Sequence, residues 1–393
     1  MNDNNASRSK AWFYNPTYRN IFYQAVVLGG LFWFLYTVTG NVIANLEARG
    51  ISTGLGFLNQ TSGFAIAQSL IEYDSNDTYG RTFFVGLLNT VLVSVMGIVS
   101  ATLLGLFIGV SRLSPNWLLR KICMVYIETF RNIPLLLQIF FWYFAVLRSL
   151  PGARDAMNFG TESFFLSIRG FYGPKPIPEP GFGIYVALIV LSIVAVIVLA
   201  RWAKARFIAT GQQFPVFWTS IAIIFGTLII GFFITGRPIS FDLPVLRGFN
   251  YAGGLRIIPE LLALWFALTI YTSTYIAEIV RSGIEAVAHG QTEACRALGL
   301  NEKQRLNLVV LPQAMRVMIP PMTSQYLNLA KNSSLAVAIG YPDLVAVFMG
   351  TTLNQTGQAV EIVAMTMLVY LTISLTVSAF MNWFNKRVAL VER

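Results

Sequence analysis

Along the chain, apolar residues gather into long runs, and the polar stretches between them carry most of the Arg, Lys, Gly and Pro. A helix that crosses a bilayer needs ~20 mostly apolar residues at about 1.5 Å each. Eight runs meet that length within tolerance: 21–39, 83–110, 122–147, 184–200, 217–235, 257–281, 313–339 and 358–384. The seventh is the most polar, with Gln325, Asn328, Lys331, Asn332 and Ser333 inside it. Such a segment should line a protein interior or a water-filled path and not face lipid. The first run, longer than a signal core, reads as a retained helix behind a polar tail, 1–20, expected to be poorly ordered. The pattern predicts an all-α polytopic membrane protein of eight helices.

Composition agrees. Of 393 residues, 55% are hydrophobic and 12% charged, against roughly 25% charged in a soluble domain. The net charge of +10 would suit a nucleic-acid partner if the cations formed one patch. They flank the apolar runs instead, which speaks against nucleic acid. Two cysteines and one histidine are too few for a disulfide framework or a Cys/His metal site. With both termini cytoplasmic, 17 of the 28 Lys and Arg fall on the inner side, the arrangement that the positive-inside bias favours. Arg8, Lys10, Arg112 and Arg393 enter that count, Arg49 falls on the outer side, and Trp12, Trp202 and Trp383 read as interfacial anchors. Segments 40–82, 148–183 and 236–256 become outer loops, the second of them stiffened by Pro174, Pro176, Pro178 and Pro180.

The loop after the sixth run carries the strongest local signal. It reads Gly290-Gln291-Thr292-Glu293-Ala294-Cys295-Arg296-Ala297-Leu298-Gly299-Leu300 and continues to Leu311-Pro312. Glu293, Ala294 and Ala297 favour helix, Gly299 is placed to end it, and a second amphipathic stretch, 302–310, is expected to stop at Pro312. Two short helices with a glycine bend form a knob that suits a groove on a soluble partner. They also suit an interfacial loop with no partner.

The pattern Glu-Ala-Ala, three residues, Gly, nine residues, Ile-x-Leu-Pro is the EAA signature of bacterial ABC-importer permeases. This sequence resembles it at Glu293, Ala294, Gly299, Leu311 and Pro312, with Cys295 in place of alanine and Val309 in place of isoleucine. Segments 128–138, 274–281 and 329–335 are similar to the polar amino-acid subfamily, and the longer architecture is similar to the Q subunit of general L-amino-acid permeases. The resemblance implies a type I permease core over 83–393 with a coupling loop at 282–312. To that core are added an extra N-terminal helix, 21–39, a periplasmic loop, 40–82, and a two-helix insert at 148–256. It implies a half-transporter of the inner membrane, moving L-amino acids by alternating access. Its partners would be a second, different permease chain, two cytoplasmic ATPases, a periplasmic amino-acid-binding protein and membrane lipid. No cofactor is expected on this chain: it has no G-x-x-x-x-G-K-[ST] loop, so ATP and Mg belong to the ATPase. Gly290, Glu293, Ala294, Ala297, Leu298, Gly299 and Leu300 would couple to it.

Glu128 with Arg131, and Glu278 with Arg281, are spaced to pair on one helix face and to orient the spans; a gating role is the alternative. Lys331 within an apolar run requires a compensating group, either a protein carbonyl or carboxylate, or a substrate carboxylate. The path hypothesis joins Gln325, Asn328, Lys331, Asn332 and Ser333 to Gln138, Tyr271, Thr272 and Tyr275. For each of the last four taken alone, helix packing through hydroxyl bonds is the favoured reading. His289 reads as a solvent-side residue. An ion-coupled carrier would want inverted repeats and buried carboxylates, and a lipid enzyme a nucleophile–base set; the sequence offers neither.

Overall fold

The computed structural model describes residues 15–48, 50, 54–160 and 163–388. Arg8, Lys10 and Trp12 of the polar tail, together with Arg49 and Arg393, lie outside the described residues. The chain divides into two compact units, Met1–Val95 with Ser282–Arg393, and Met96–Arg281.

The first helix, α1 (Pro16–Ala48), buries none of its apolar window inside the chain. A helix that is apolar all round without protein cover has lipid as its solvent. Helix α2 (Tyr79–Arg112) follows a loop whose Phe57 packs with Tyr79, Leu344, Phe348 and Ile362 into the core of the first unit. Polar atoms pin that core. Asn89, fully buried, donates to the carbonyls of Gln68 at 2.9 Å and Pro342 at 2.8 Å, and the Leu344 amide donates to Thr90 at 3.0 Å.

The run 122–147 is not one helix. Helix α3 (Trp117–Asn132) and helix α4 (Leu135–Phe140, extended through helical turns to Ser149) meet at 103°. Pro134 lacks an N–H and pushes the residue before it out of the helical region, and Ile133 is extended at φ −91°, ψ 125°.

The insert is more than two helices in loops. Helices α5 (Phe182–Thr210) and α6 (Val216–Ile234) form a hairpin, and the flanking segments build small antiparallel sheets. Strands β1 (Met157–Asn158), β2 (Phe165–Ser167) and β3 (Gly170–Gly173) pair in order. Strand β4 (Lys175–Pro178) pairs β5 (Ile239–Asp242), β6 (Val245–Arg247) pairs β7 (Asn250–Ala252), and β8 (Leu255–Ile257) completes the first sheet beside β3. The proline-rich stretch is therefore a strand. Pro176 and Pro178 alternate with Lys175 and Ile177, so the missing N–H groups fall on one side of a ribbon that has an edge to spare.

Helix α7 (Pro259–Glu285) packs on α2 where α2 is glycine-lined. A Cβ on Gly105 would stand 2.6 Å from that of Ile276, and one on Gly109 would stand 2.7 Å from the Ala277 carbonyl. After α7 come α8 (His289–Ala297), α9 (Glu302–Arg305) and α10 (Leu311–Asn332). Pro312 does not stop the second stretch as the sequence suggested. A π-helical turn over Leu306–Val310 carries the backbone straight into α10, where Pro312 sits in the first turn and its missing N–H costs nothing. Short α11 (Leu353–Thr356) and long α12 (Ala359–Val388) finish the described chain, α12 packing on α10.

Among the described residues six helices are long and apolar enough to cross a membrane, or seven if the bent α3–α4 pair counts as one span. The remaining expected span, the seventh, is α10, whose 22 residues reach about 33 Å but are too polar to count among them.

Candidate functional site

In the loop that follows α7, α8 buries one side chain, Cys295, at 3% exposure, while Glu293, Ala294, Ala297, Leu298 and Gly299 are exposed. The buried contact explains why a small residue stands at position 295. Gly299 holds φ +70°, and the Leu300 amide donates back to the Cys295 carbonyl at 3.0 Å, the left-handed termination that glycine permits. Asn301 and Gln304 then cap α9 reciprocally. Arg305 ties the helices together, donating to Thr292 at 3.2 Å and to Glu302 at 2.6 Å. Glu293 accepts from His289 across one turn at 3.1 Å. What projects is Leu298, 77% exposed at the tip, with Gly290 and Glu293 exposed on the same short helix.

Within the second unit the bend is stitched by Gln138. Its amide nitrogen donates to the carbonyls of Phe130 at 2.7 Å and Ile133 at 3.0 Å, which Pro134 leaves without helical donors. Tyr271 and Tyr275 share a hydroxyl contact of 3.0 Å, and the Arg131 guanidinium lies 5.0 Å from the Tyr275 ring centre. Thr272 is buried beside them. Arg131 therefore stacks on Tyr275, and Glu128, which is exposed, makes no ion pair among the described residues. The pairing expected between them is not formed, because the bend after Asn132 leaves Arg131 reaching toward α7.

Glu278 is the hub that spacing only half disclosed. It accepts from Arg281 one turn on, Nε at 3.1 Å, and also from Arg112 at the end of α2. Arg112 read in the sequence only as an inner-side cation, and no local signal links it to a carboxylate 166 positions away.

Helix α10 of the first unit has two faces. Met322, Tyr326, Leu329, Ala330 and Ser333 are buried, whereas Asn328 and Lys331 are exposed and Gln325 and Asn332 half-buried. Gln325, Asn328 and Asn332 follow at three and four residues, with Lys331 three beyond Asn328, so four of the five candidates form one polar stripe. Ser333 does not join it: its hydroxyl turns inward to the Ala330 carbonyl at 2.8 Å. Lys331 makes no ion pair among the described residues.

Long apolar helices, interrupted by an exposed helix–glycine–helix knob, make this an integral membrane protein, and its relatives give the class. The family model for binding-protein-dependent transport system inner membrane components matches residues 201–390. YhdX of Escherichia coli (strain K12) is 52% identical, covering 97% of each chain. The general L-amino acid transport system permease protein AapQ of Rhizobium johnstonii is 51% identical over 97% of this chain and 94% of its own. The glutamate/glutamine/aspartate/asparagine transport system permease protein BztB of Rhodobacter capsulatus is 42% identical over 97% and 96%. The chain belongs to the amino-acid ABC-importer permeases, multi-pass proteins of the inner membrane whose ATPase is a separate subunit. Membership decides against the ion-coupled carrier and the lipid enzyme.

Proposed function

We propose that this chain is one half of an importer for L-amino acids that works by alternating access, with α8 and Leu298 as the handle gripped by the ATPase. The observation that supports this most is the construction of the knob. One side chain of α8 anchors inward, Gly299 sets a tight turn, and an apolar tip is left in solvent, where a monomer gains nothing from it. A groove that buries Leu298 in the assembled transporter supplies the missing partner, and ATP-driven closure of paired ATPases then moves α7 and α10, the helices on either side of the loop. Force passes only if the docked contacts differ between states.

On this reading a second, non-identical permease completes the path, a periplasmic binding protein delivers the amino acid, ATP and Mg are bound by two ATPase copies, and both termini are cytoplasmic. The stripe of Gln325, Asn328, Lys331 and Asn332 offers a cation and amides to a substrate carboxylate. The test is the pair Leu298→Asp with Glu293→Lys in the complete transporter. Both residues are exposed, so insertion and subunit yield should hold while uptake and binding-protein-stimulated ATP hydrolysis fall together by at least tenfold. Full uptake with the knob so altered overturns the coupling role.

A further inference from the structure

The α5–α6 hairpin carries a second feature, at the end opposite its β-sheets. Nineteen helical steps separate Phe182 from Arg201, about 28 Å of rise, so the apolar part of α5 ends where a hydrocarbon layer of ~30 Å would end. The remaining turns, to Thr210, project into the headgroup layer and carry Arg201, Lys204 and Arg206. No Asp or Glu occurs between Glu179 and Asp242, so these cations have no counter-ion in their own hairpin. Arg206 is engaged, donating to Gln212 at 2.8 Å and lying 5.4 Å from the Trp202 ring. Arg201 and Lys204 make no ion pair among the described residues.

Beside them lies a cavity of about 340 Å³. Ala200, Ala203, Lys204 and Phe207 recur along one face of α5 and form one wall, and Gln213 and Phe214 of the connector form the other. The two alanines make the room. Trp202 meets Phe214 edge-on at 5.4 Å. Lys204 and Gln213 are thus the polar residues of an otherwise apolar and open lining, at the depth where the apolar part of α5 ends.

We propose that this cavity binds an anionic phospholipid, with the phosphate on Lys204 and Gln213, Arg201 one turn toward the bilayer adding its charge, and the acyl chains along the exposed apolar side of α5. A cation without a counter-ion at this depth finds phosphate as its nearest anion, and basic pockets between helix ends are suited to such headgroups. A free phosphate would satisfy the charge but would leave Phe207, Phe214 and the α5 surface uncovered. The site needs only the membrane setting and stands apart from the coupling loop and the polar stripe.

The complete transporter containing the full-length chain, titrated with phosphatidylglycerol or phosphatidylcholine and followed by native mass spectrometry, tests it. Phosphatidylglycerol should be retained in preference, and Arg201→Gln with Lys204→Gln should weaken retention by roughly fivefold per cation. Ala200→Phe keeps every charge, fills the cavity from an exposed position and should weaken retention as much. Excess inorganic phosphate should not displace the lipid. Equal retention of phosphatidylcholine, displacement by inorganic phosphate, or unchanged retention in both variants would each overturn the proposal. So would a neighbouring subunit's carboxylate found on Lys204 in the assembled transporter.

Discussion

Gly283, near the end of α7, faces α10 across a gap that has no room for a methyl group. A Cβ there would stand 2.2 Å from Cγ of Met318 and 3.1 Å from its Sδ, where carbon atoms prefer about 3.5–4.0 Å. Helix propensity alone favours Gly283→Ala by about 1 kcal/mol, so the sign of the measured change reports packing. Met318 is buried, and although its thioether is adaptable, Cγ moves only if the first side-chain torsion changes. Overpacking of that kind costs about 1–3 kcal/mol, which leaves Gly283→Ala neutral to about 2 kcal/mol destabilised. Met318→Ala alone leaves a cavity and should cost about 2–5 kcal/mol. In the double variant the new methyl enters the vacated space and the helix gain survives. The double variant should therefore be about 1–3 kcal/mol more stable than the sum of the singles implies. Denaturant titration of the four proteins in micelles, with slopes compared to check that one transition is being read, measures this coupling. Additivity within about 0.5 kcal/mol would show that Met318 is not what excludes the methyl, and the close approach of α7 and α10 would lose its explanation.

Gln138→Leu keeps the volume but leaves the Phe130 and Ile133 carbonyls without their donor, and should destabilise the bend by about 1–3 kcal/mol. Gln138→Glu should fall with it in the same titration, and a leucine variant as stable as the parent would mean that water caps those carbonyls. Lys331→Ala should lower amino-acid uptake by the assembled transporter without loss of assembled protein, and Asn332→Asp should shift preference toward cationic amino acids. Unchanged rate and selectivity in both would remove the stripe from the path.

Much of this architecture can be read one run at a time. The run 83–110 lies inside α2, 184–200 inside α5 and 358–384 almost wholly inside α12, because the need to hide apolar side chains and pair every backbone amide in lipid is met within a single helix. The glycine turn of the knob was legible for the same reason: only the local φ at Gly299 is at stake. Pro134 is the local signal of the bend, but the apolar residues on both sides of it make 122–147 read as one continuous run. Pro312 misleads in the opposite direction, since a proline in the first turn of a helix is harmless and the same residue inside a helix is not.

By itself, then, the order of residues determined the solvent of this protein, the number of membrane-length apolar helices to within two, and the place of the knob, all of which depend on neighbours within about twenty positions. Tertiary structure alone decided that Arg112 meets Glu278, that Arg131 leaves Glu128 for the Tyr275 ring, that Ser333 turns away from the stripe it adjoins, and that the loops of the insert pair into sheets. Each of those outcomes is a choice among partners far apart in sequence. The choice is made by which groups packing leaves close enough to share a proton or a ring face, and no periodicity along the chain records it.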